Sequence, residues 1–193
     1  MYFSADSIPN GRAEFKCCPP VRDSAQQDAL WQALIDGHID LVVSDHSPSN
    51  PALKSDNLHR SWGGISGLQT SLSVVWTAGR SRGVQLEMIA QWMAKRPAEQ
   101  AGISHRKGEI AVGMDADFCV FEPDAQFVVD GRALLHRHKM TPYANERLYG
   151  VVRKTVLRSR VVYDRETGVV GPARGEIVTR PSAADAADPA RIT

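Results

Sequence analysis

Asp36-Gly37-His38-Ile39-Asp40-Leu41-Val42-Val43-Ser44-Asp45-His46-Ser47-Pro48 is the stretch that decides the fold. A glycine ends a helical pattern, a short apolar run follows, and the run stops abruptly at polar residues. A buried strand that ends in polar residues is how a parallel α/β sheet presents its functional loop, at the carboxyl end of a strand. Leu41-Val42-Val43 is therefore expected as the strand and Ser44 to Pro48 as the loop. Upstream, Ser24 is expected to N-cap a helix with Gln27 as capping-box partner. Leu30, Trp31, Leu34 and Ile35 fall on one face of it, and Gly37 supplies the stop.

Downstream, Ser47 to Ser61 is polar and contains two prolines, which predicts a long loop. Trp62-Gly63-Gly64 then leads into a helix with Ile65, Leu68, Leu72 and Val75 at helical spacing. A further helix carries Leu86, Ile89, Ala90 and Met93 on one face and is expected to stop before Pro97. After Lys107-Gly108 the period changes. Residues 110–112, 118–121, 127–129, 151–157 and 161–163 read as strands between turn residues. Three zones result: an α/β zone at 1–105, a β-rich zone at 106–180, and a tail at 181–193. The tail, with a single large aliphatic residue, is expected to be disordered.

Composition bounds the answer without choosing a function. The chain has 193 residues and a formal charge of +1, which shows no bias toward nucleic acid or an anionic membrane. A whole (β/α)8 barrel needs about 250 residues, so this chain cannot hold one. Hydrophobic residues are 42% and charged residues 23%, the balance of a globular protein rather than a disordered one. The three cysteines contain no CxxC pair, so neither a disulfide framework nor a cysteine-based zinc site is expected. No run approaches a membrane span, and the first residues lack a signal-peptide pattern. The expectation is a cytoplasmic, soluble protein.

Asp45 is the first chemical candidate. A carboxylate at a strand end can bind a metal or act as a general base; it can equally cap a turn beside His46. His136-Arg137-His138 has the spacing of a chelating pair on a strand. It lies in a basic stretch without a third ligand, and a solvated polar surface is expected for both rings. Cys17 and Cys18 are expected to be buried structural thiols. Asp115 and Asp117 read as turn residues entering a strand.

Four segments carry a resemblance. Phe15-Lys16-Cys17-Cys18-Pro19-Pro20-Val21-Arg22, Asp36 through Pro48, Trp62-Gly63-Gly64-Ile65-Ser66-Gly67-Leu68-Gln69, and Lys107 through Asp117 with His136 through Tyr143 resemble the C-terminal part of the allantoinase branch of the cyclic amidohydrolase family. Ser49 (where dihydroorotases usually carry His), Gln69 and the Trp62-Gly63-Gly64 triplet favour that branch over dihydroorotases and hydantoinases. The resemblance implies an α/β fold: the last strands and helices of a metal-dependent (β/α)8 barrel at 1–105, then strands of a small β-sandwich at 106–180. It implies hydrolysis of the cyclic amide of allantoin to allantoate in purine breakdown. The alternatives are a hydantoinase or dihydropyrimidinase, or a non-catalytic partner-binding subunit. It implies two divalent metals, zinc by preference, with Asp45 as both metal ligand and proton-transferring residue and with the other ligands upstream of these residues. Backbone groups near Cys18 and Gly63 are implied to hold the ring amide, and Ser47 to influence ring choice. A fragment of this kind is expected to be inactive alone and to work as a homo-oligomer or with a complementing N-terminal half.

Overall fold

In the computed structural model, which describes residues 1–55 and 57–181, Asp23 rather than Ser24 caps the first helix, α1 (Ser24–Ile35). The Asp23 carboxylate accepts from the Gln26 N–H at 2.8 Å, and a charged acceptor also suits the positive end of the helix. The Ser24 N–H is taken by Asp6 at 2.7 Å. Gly37 ends the helix as expected, with a φ of +77° that a side chain would resist. Trp31 and Leu34 are fully buried, whereas Leu30 lies at the surface.

The two remaining helical patterns fold differently from what their spacing predicts. Ile65 to Thr70 does not begin a long helix: Ile65 makes a bridge, Leu68–Thr70 is a single 3-10 turn, and α2 spans Ser71–Arg80. The buried face of α2 is Ser73, Val74, Val75, Trp76 and Gly79, and Leu68 is left 60% exposed. The next helix does not stop before Pro97. It runs through α3 (Leu86–Ala90), a π-helical turn (Gln91–Lys95) and α4 (Arg96–Ala101). Pro97 sits in the first turn of α4, just after the widened turn, where its missing N–H is tolerated.

The β-rich zone contains β1 (Phe118–Val128), β2 (Arg147–Leu157), β3 (Arg160–Asp164) and β4 (Gly168–Val169), in the order β1-β2-β3-β4. Strands β2 and β3 are antiparallel with Lys154 opposite Asp164, and β3 and β4 are antiparallel with Tyr163 opposite Val169. The expected strands at 118–121 and 127–129 are one long strand. The expected strand at 110–112 is not a strand: Ile110 is 84% exposed, and no backbone pairs with it among the described residues. Leu41-Val42-Val43 is also not a ladder strand. The Val42 N–H goes to the Trp92 carbonyl at 2.9 Å, on the helical run, and a strand without a neighbouring strand forms no ladder.

Two compact units result. One comprises Met1–Ile39, Val43–Val84 and Asp124–Gly150; the other comprises Asp40–Val42, Gln85–Pro123 and the chain from Val151 onward. The core of the first is Val74, Val129, Leu134 and Leu148, with Tyr2, Phe127 and Tyr143 packed against it. The Trp31 indole N–H donates to the Met1 carbonyl at 2.8 Å and Gln27 donates to the Tyr2 carbonyl at 2.8 Å, so α1 holds the first residues in place. In the second unit Ile89, Trp92 and Ala98 are buried. Lys107 there bridges two carboxylates, Asp115 at 2.7 Å and Asp117. These two aspartates enter β1 as expected, and the lysine holds the turn that precedes it. Residues 182–193, most of the expected disordered tail, lie outside the described residues. No helix among the described residues is long and apolar enough to cross a membrane.

Candidate active site

Asp45, His46 and Ser47 are all anchored, and each by a different bond. His46 forms a parallel bridge with Ile65, and the Ser47 N–H donates to the Ile65 carbonyl at 2.9 Å. The Ser47 hydroxyl donates to the Asp45 carboxylate at 3.1 Å. Asp45 itself is exposed, so its carboxylate is oriented by Ser47 yet open to a ligand. The His46 Nδ1 accepts from the Gly67 N–H at 3.2 Å and the Leu68 N–H at 3.3 Å.

The Trp62–Gln69 segment lies against these residues because two glycines let it. A Cβ on Gly64 would stand 2.6 Å from the Ser47 Cβ and 2.9 Å from the Ser47 carbonyl oxygen. A Cβ on Gly63 would stand 2.8 Å from the Cys18 Sγ. Backbone therefore approaches backbone and thiol at both positions, which only glycine permits. Asp45, Ser47, Gly63 and Cys18, distant in sequence, come together through this packing. The N–H groups of Cys18 and Gly63 have no protein hydrogen-bond partner among the described residues. They are available to an acceptor such as an amide carbonyl.

Two further sets of contacts hold the loop in place. Lys16 reaches across with its ammonium to the carbonyls of Leu58 at 2.5 Å and Ser61 at 2.7 Å, and Lys54 donates to the Lys16 carbonyl at 2.7 Å. From the other side, the Thr141 hydroxyl donates to the Ser66 carbonyl at 2.7 Å, and the Leu135 N–H donates to Gln69 Oε1 at 2.7 Å. Sequence reasoning did not anticipate these contacts. The signal was there in part: polar residues that the Trp62–Gln69 stretch spends on no helix must find partners elsewhere.

Two expectations about titratable residues are corrected. His136 is not on a solvated surface and not on a strand; both ring nitrogens are buried without a partner among the described residues. Its ring meets His46 edge to face at 5.6 Å. Burial, with the neighbouring His46, Lys139 and His138, holds the His136 imidazole below its ordinary basicity. Cys18 is exposed rather than buried, whereas burial raises the Cys17 thiol above its ordinary range and keeps it protonated.

A metal centre is not complete here. No group of three or more His, Cys, Asp or Glu side chains among the described residues is placed to hold an ion. Asp45 is bonded to a serine, and the Nδ1 of His46 is already an acceptor for backbone. A hydrolytic metal takes about three protein ligands, and one carboxylate does not supply them.

Comparison with known proteins identifies relatives of the chain. Residues 45–163 match the model of the Amidohydrolase family. The allantoinase of Streptomyces avermitilis is 52% identical over 167 residues, which is 86% of this chain and 37% of that protein. The allantoinase of Arabidopsis thaliana is 45% identical over 168 residues, 84% of this chain and 33% of that one. Among solved structures, an L-hydantoinase (dihydropyrimidinase) from Arthrobacter aurescens superposes with a TM-score of 0.81 at 30% identity, over 87% of this chain and 38% of that chain. The chain thus spans about a third of the length of these relatives. The α/β fold is that of the metal-dependent hydrolases to which these neighbours belong. With a family match over more than half its length and close relatives along most of the rest, the chain belongs to the amidohydrolase family.

Proposed function

We propose that this chain carries the proton-handling carboxylate and part of the substrate-holding backbone of an enzyme that hydrolyses allantoin to allantoate. The supporting observation is the cluster of Asp45, Ser47, Gly63 and Cys18, set in a sequence that is 52% identical to an allantoinase. In this reading the cyclic amide lies with its polar groups on the free N–H groups of Cys18 and Gly63. Water attacks the ring carbonyl carbon. Asp45 takes a proton from that water and returns it to the departing ring nitrogen, as the carbon–nitrogen bond breaks and a carboxylate forms. Ser47 holds the carboxylate in line for both transfers.

The same reading assigns residues 1–105 to the end of a (β/α)8 barrel and 106–180 to a β-sandwich. It requires a divalent-metal site, two zinc ions by preference, with most ligands supplied by residues other than these. A complementing N-terminal half or a homo-oligomer is then the working assembly, in a cytoplasmic setting. A hydantoinase or dihydropyrimidinase is the second reading, favoured by the superposition on an L-hydantoinase.

The test pairs the chain with an N-terminal allantoinase segment and assays allantoin, hydantoin and dihydrouracil. Allantoin turnover by the pair and none by the chain alone is expected. Asp45→Asn should remove nearly all of that turnover and leave folding intact, because the amide cannot accept the proton. Preference for hydantoin or dihydrouracil overturns the substrate, and near-normal activity of Asp45→Asn overturns the residue's role.

A further inference from the structure

We infer that His46 is a positioning residue: its Nδ1, by accepting from the Gly67 and Leu68 N–H groups, fixes residues 45–47 against the segment that begins at Gly63. The inference deepens the proposed hydrolysis and rests on it for its catalytic meaning, but its geometry stands independently. Two backbone N–H groups, from Gly67 and Leu68, converge on Nδ1 at 3.2 and 3.3 Å. A nitrogen that accepts cannot also carry a proton, so Nδ1 is unprotonated in this arrangement.

The consequence is mechanical. The backbones of residues 45–47 and of the segment from Gly63 to Leu68 meet at one parallel bridge, His46 with Ile65, which includes the bond from the Ser47 N–H to the Ile65 carbonyl. A single bridge leaves a pivot. The imidazole adds a second point of attachment two and three residues beyond it, at Gly67 and Leu68, and two points fix an orientation that one does not. The far side of the same segment is tied down by Thr141 and Gln69. The His136 ring stands edge to face with the imidazole at 5.6 Å, which limits its rotation. In the proposed reading His46 thereby joins the segment of Asp45 to the segment whose Gly63 N–H faces the substrate, without touching substrate itself.

The test separates the acceptor atom from mere packing. In the chain labelled with 15N at histidine, the His46 Nδ1 resonance should be that of an unprotonated acceptor nitrogen; a protonated Nδ1 overturns the inference without any variant. His46→Leu removes the acceptor, and His46→Asn replaces it, because the Asn Oδ1 occupies the place of Nδ1. Amide hydrogen exchange at Gly67 and Leu68 should accelerate at least tenfold in His46→Leu and return to within about threefold of the parent in His46→Asn, while the amides of α1 stay unchanged. Equal exchange at Gly67 and Leu68 in His46→Leu and the parent refutes the acceptor role. If His46→Leu unfolds, the Nδ1 resonance and the His46→Asn exchange still decide. In the complemented enzyme His46→Leu should lower kcat more than it raises KM. Loss of the exchange effect sinks this inference alone, whereas absence of allantoin turnover in the parent pair sinks the proposed function.

Discussion

Replacing Gly64 by alanine puts one carbon where the structure has no room. The added Cβ would lie 2.6 Å from the Ser47 Cβ, 2.8 Å from the Trp62 Nε1 and 2.9 Å from the Ser47 carbonyl oxygen. Ordinary contact begins at 3.4 Å, so the segments must part by about 0.8 Å at the tightest contact. Rotating a side chain does not relieve it, since a Cβ and a carbonyl oxygen move only with the backbone. The Ser47 N–H bond to Ile65 resists that movement, at 2.9 Å. Overpacking of this kind costs about 1–3 kcal/mol. With a urea slope of about 1–3 kcal/mol per molar, the unfolding midpoint should fall by roughly 1 M at unchanged slope. Catalysis should suffer more than stability, because a shift of about 1 Å in a positioned site can cost on the order of 100-fold. Gly11→Ala is the control: no atom lies within 4 Å of its Cβ, and only its φ of +80° opposes the change. Urea titration of both variants, with turnover of the complemented enzyme, checks the reasoning. An unchanged midpoint and unchanged turnover for Gly64→Ala would show that the two segments do not pack as described.

Other expectations follow from burial and charge. Leu148→Ala empties a fully buried position of the first unit's core and should cost about 2–5 kcal/mol by denaturant titration; a loss under 1 kcal/mol would contradict that core. Lys107→Gln leaves Asp115 and Asp117 without their shared cation and should cost about 1–3 kcal/mol near neutral pH. Hydrogen bonding to Lys107, against a smaller opposing effect of desolvation, holds the Asp115 carboxyl below its ordinary value. Its contribution is thus fully present above that ordinary value and lost as pH falls through the folded one, so the parent and the variant should converge in acid. His136, lowered by burial, works the same way for a base. The unfolded chain binds the proton first, so stability should decline as pH falls below 6.5, the imidazole's ordinary value. His136→Leu, against the charges of Lys139 and the rings of His46 and His138, should flatten that slope; an identical pH profile would place the ring in water.

Local chemistry was legible in the sequence where a single segment sufficed. The first helix, its glycine stop, the strand run from Val151 to Leu157 and the candidate Asp45 each follow from spacing or from a switch between apolar and polar residues. Period alone failed where the outcome depended on partners. Leu41-Val42-Val43 and Ile110-Ala111-Val112 have the composition of strands, but a strand exists only when another backbone meets it, and here a helix carbonyl or solvent does so instead. Pro97 looked like an end, but the π-helical turn before it shifts the bonding so that the missing donor falls at a helix start. His136 looked solvated because its sequence neighbours are basic, whereas the Leu134 to Tyr143 segment folds back onto Ser66, Gly67 and Gln69 and buries the ring. The resemblance in sequence named the candidate residues. Only the tertiary structure showed that two absent side chains, at Gly63 and Gly64, let Cys18 and Ser47 approach, and that an imidazole beside the carboxylate ties both segments together. Those are distances between chain segments far apart in sequence, which no local pattern encodes.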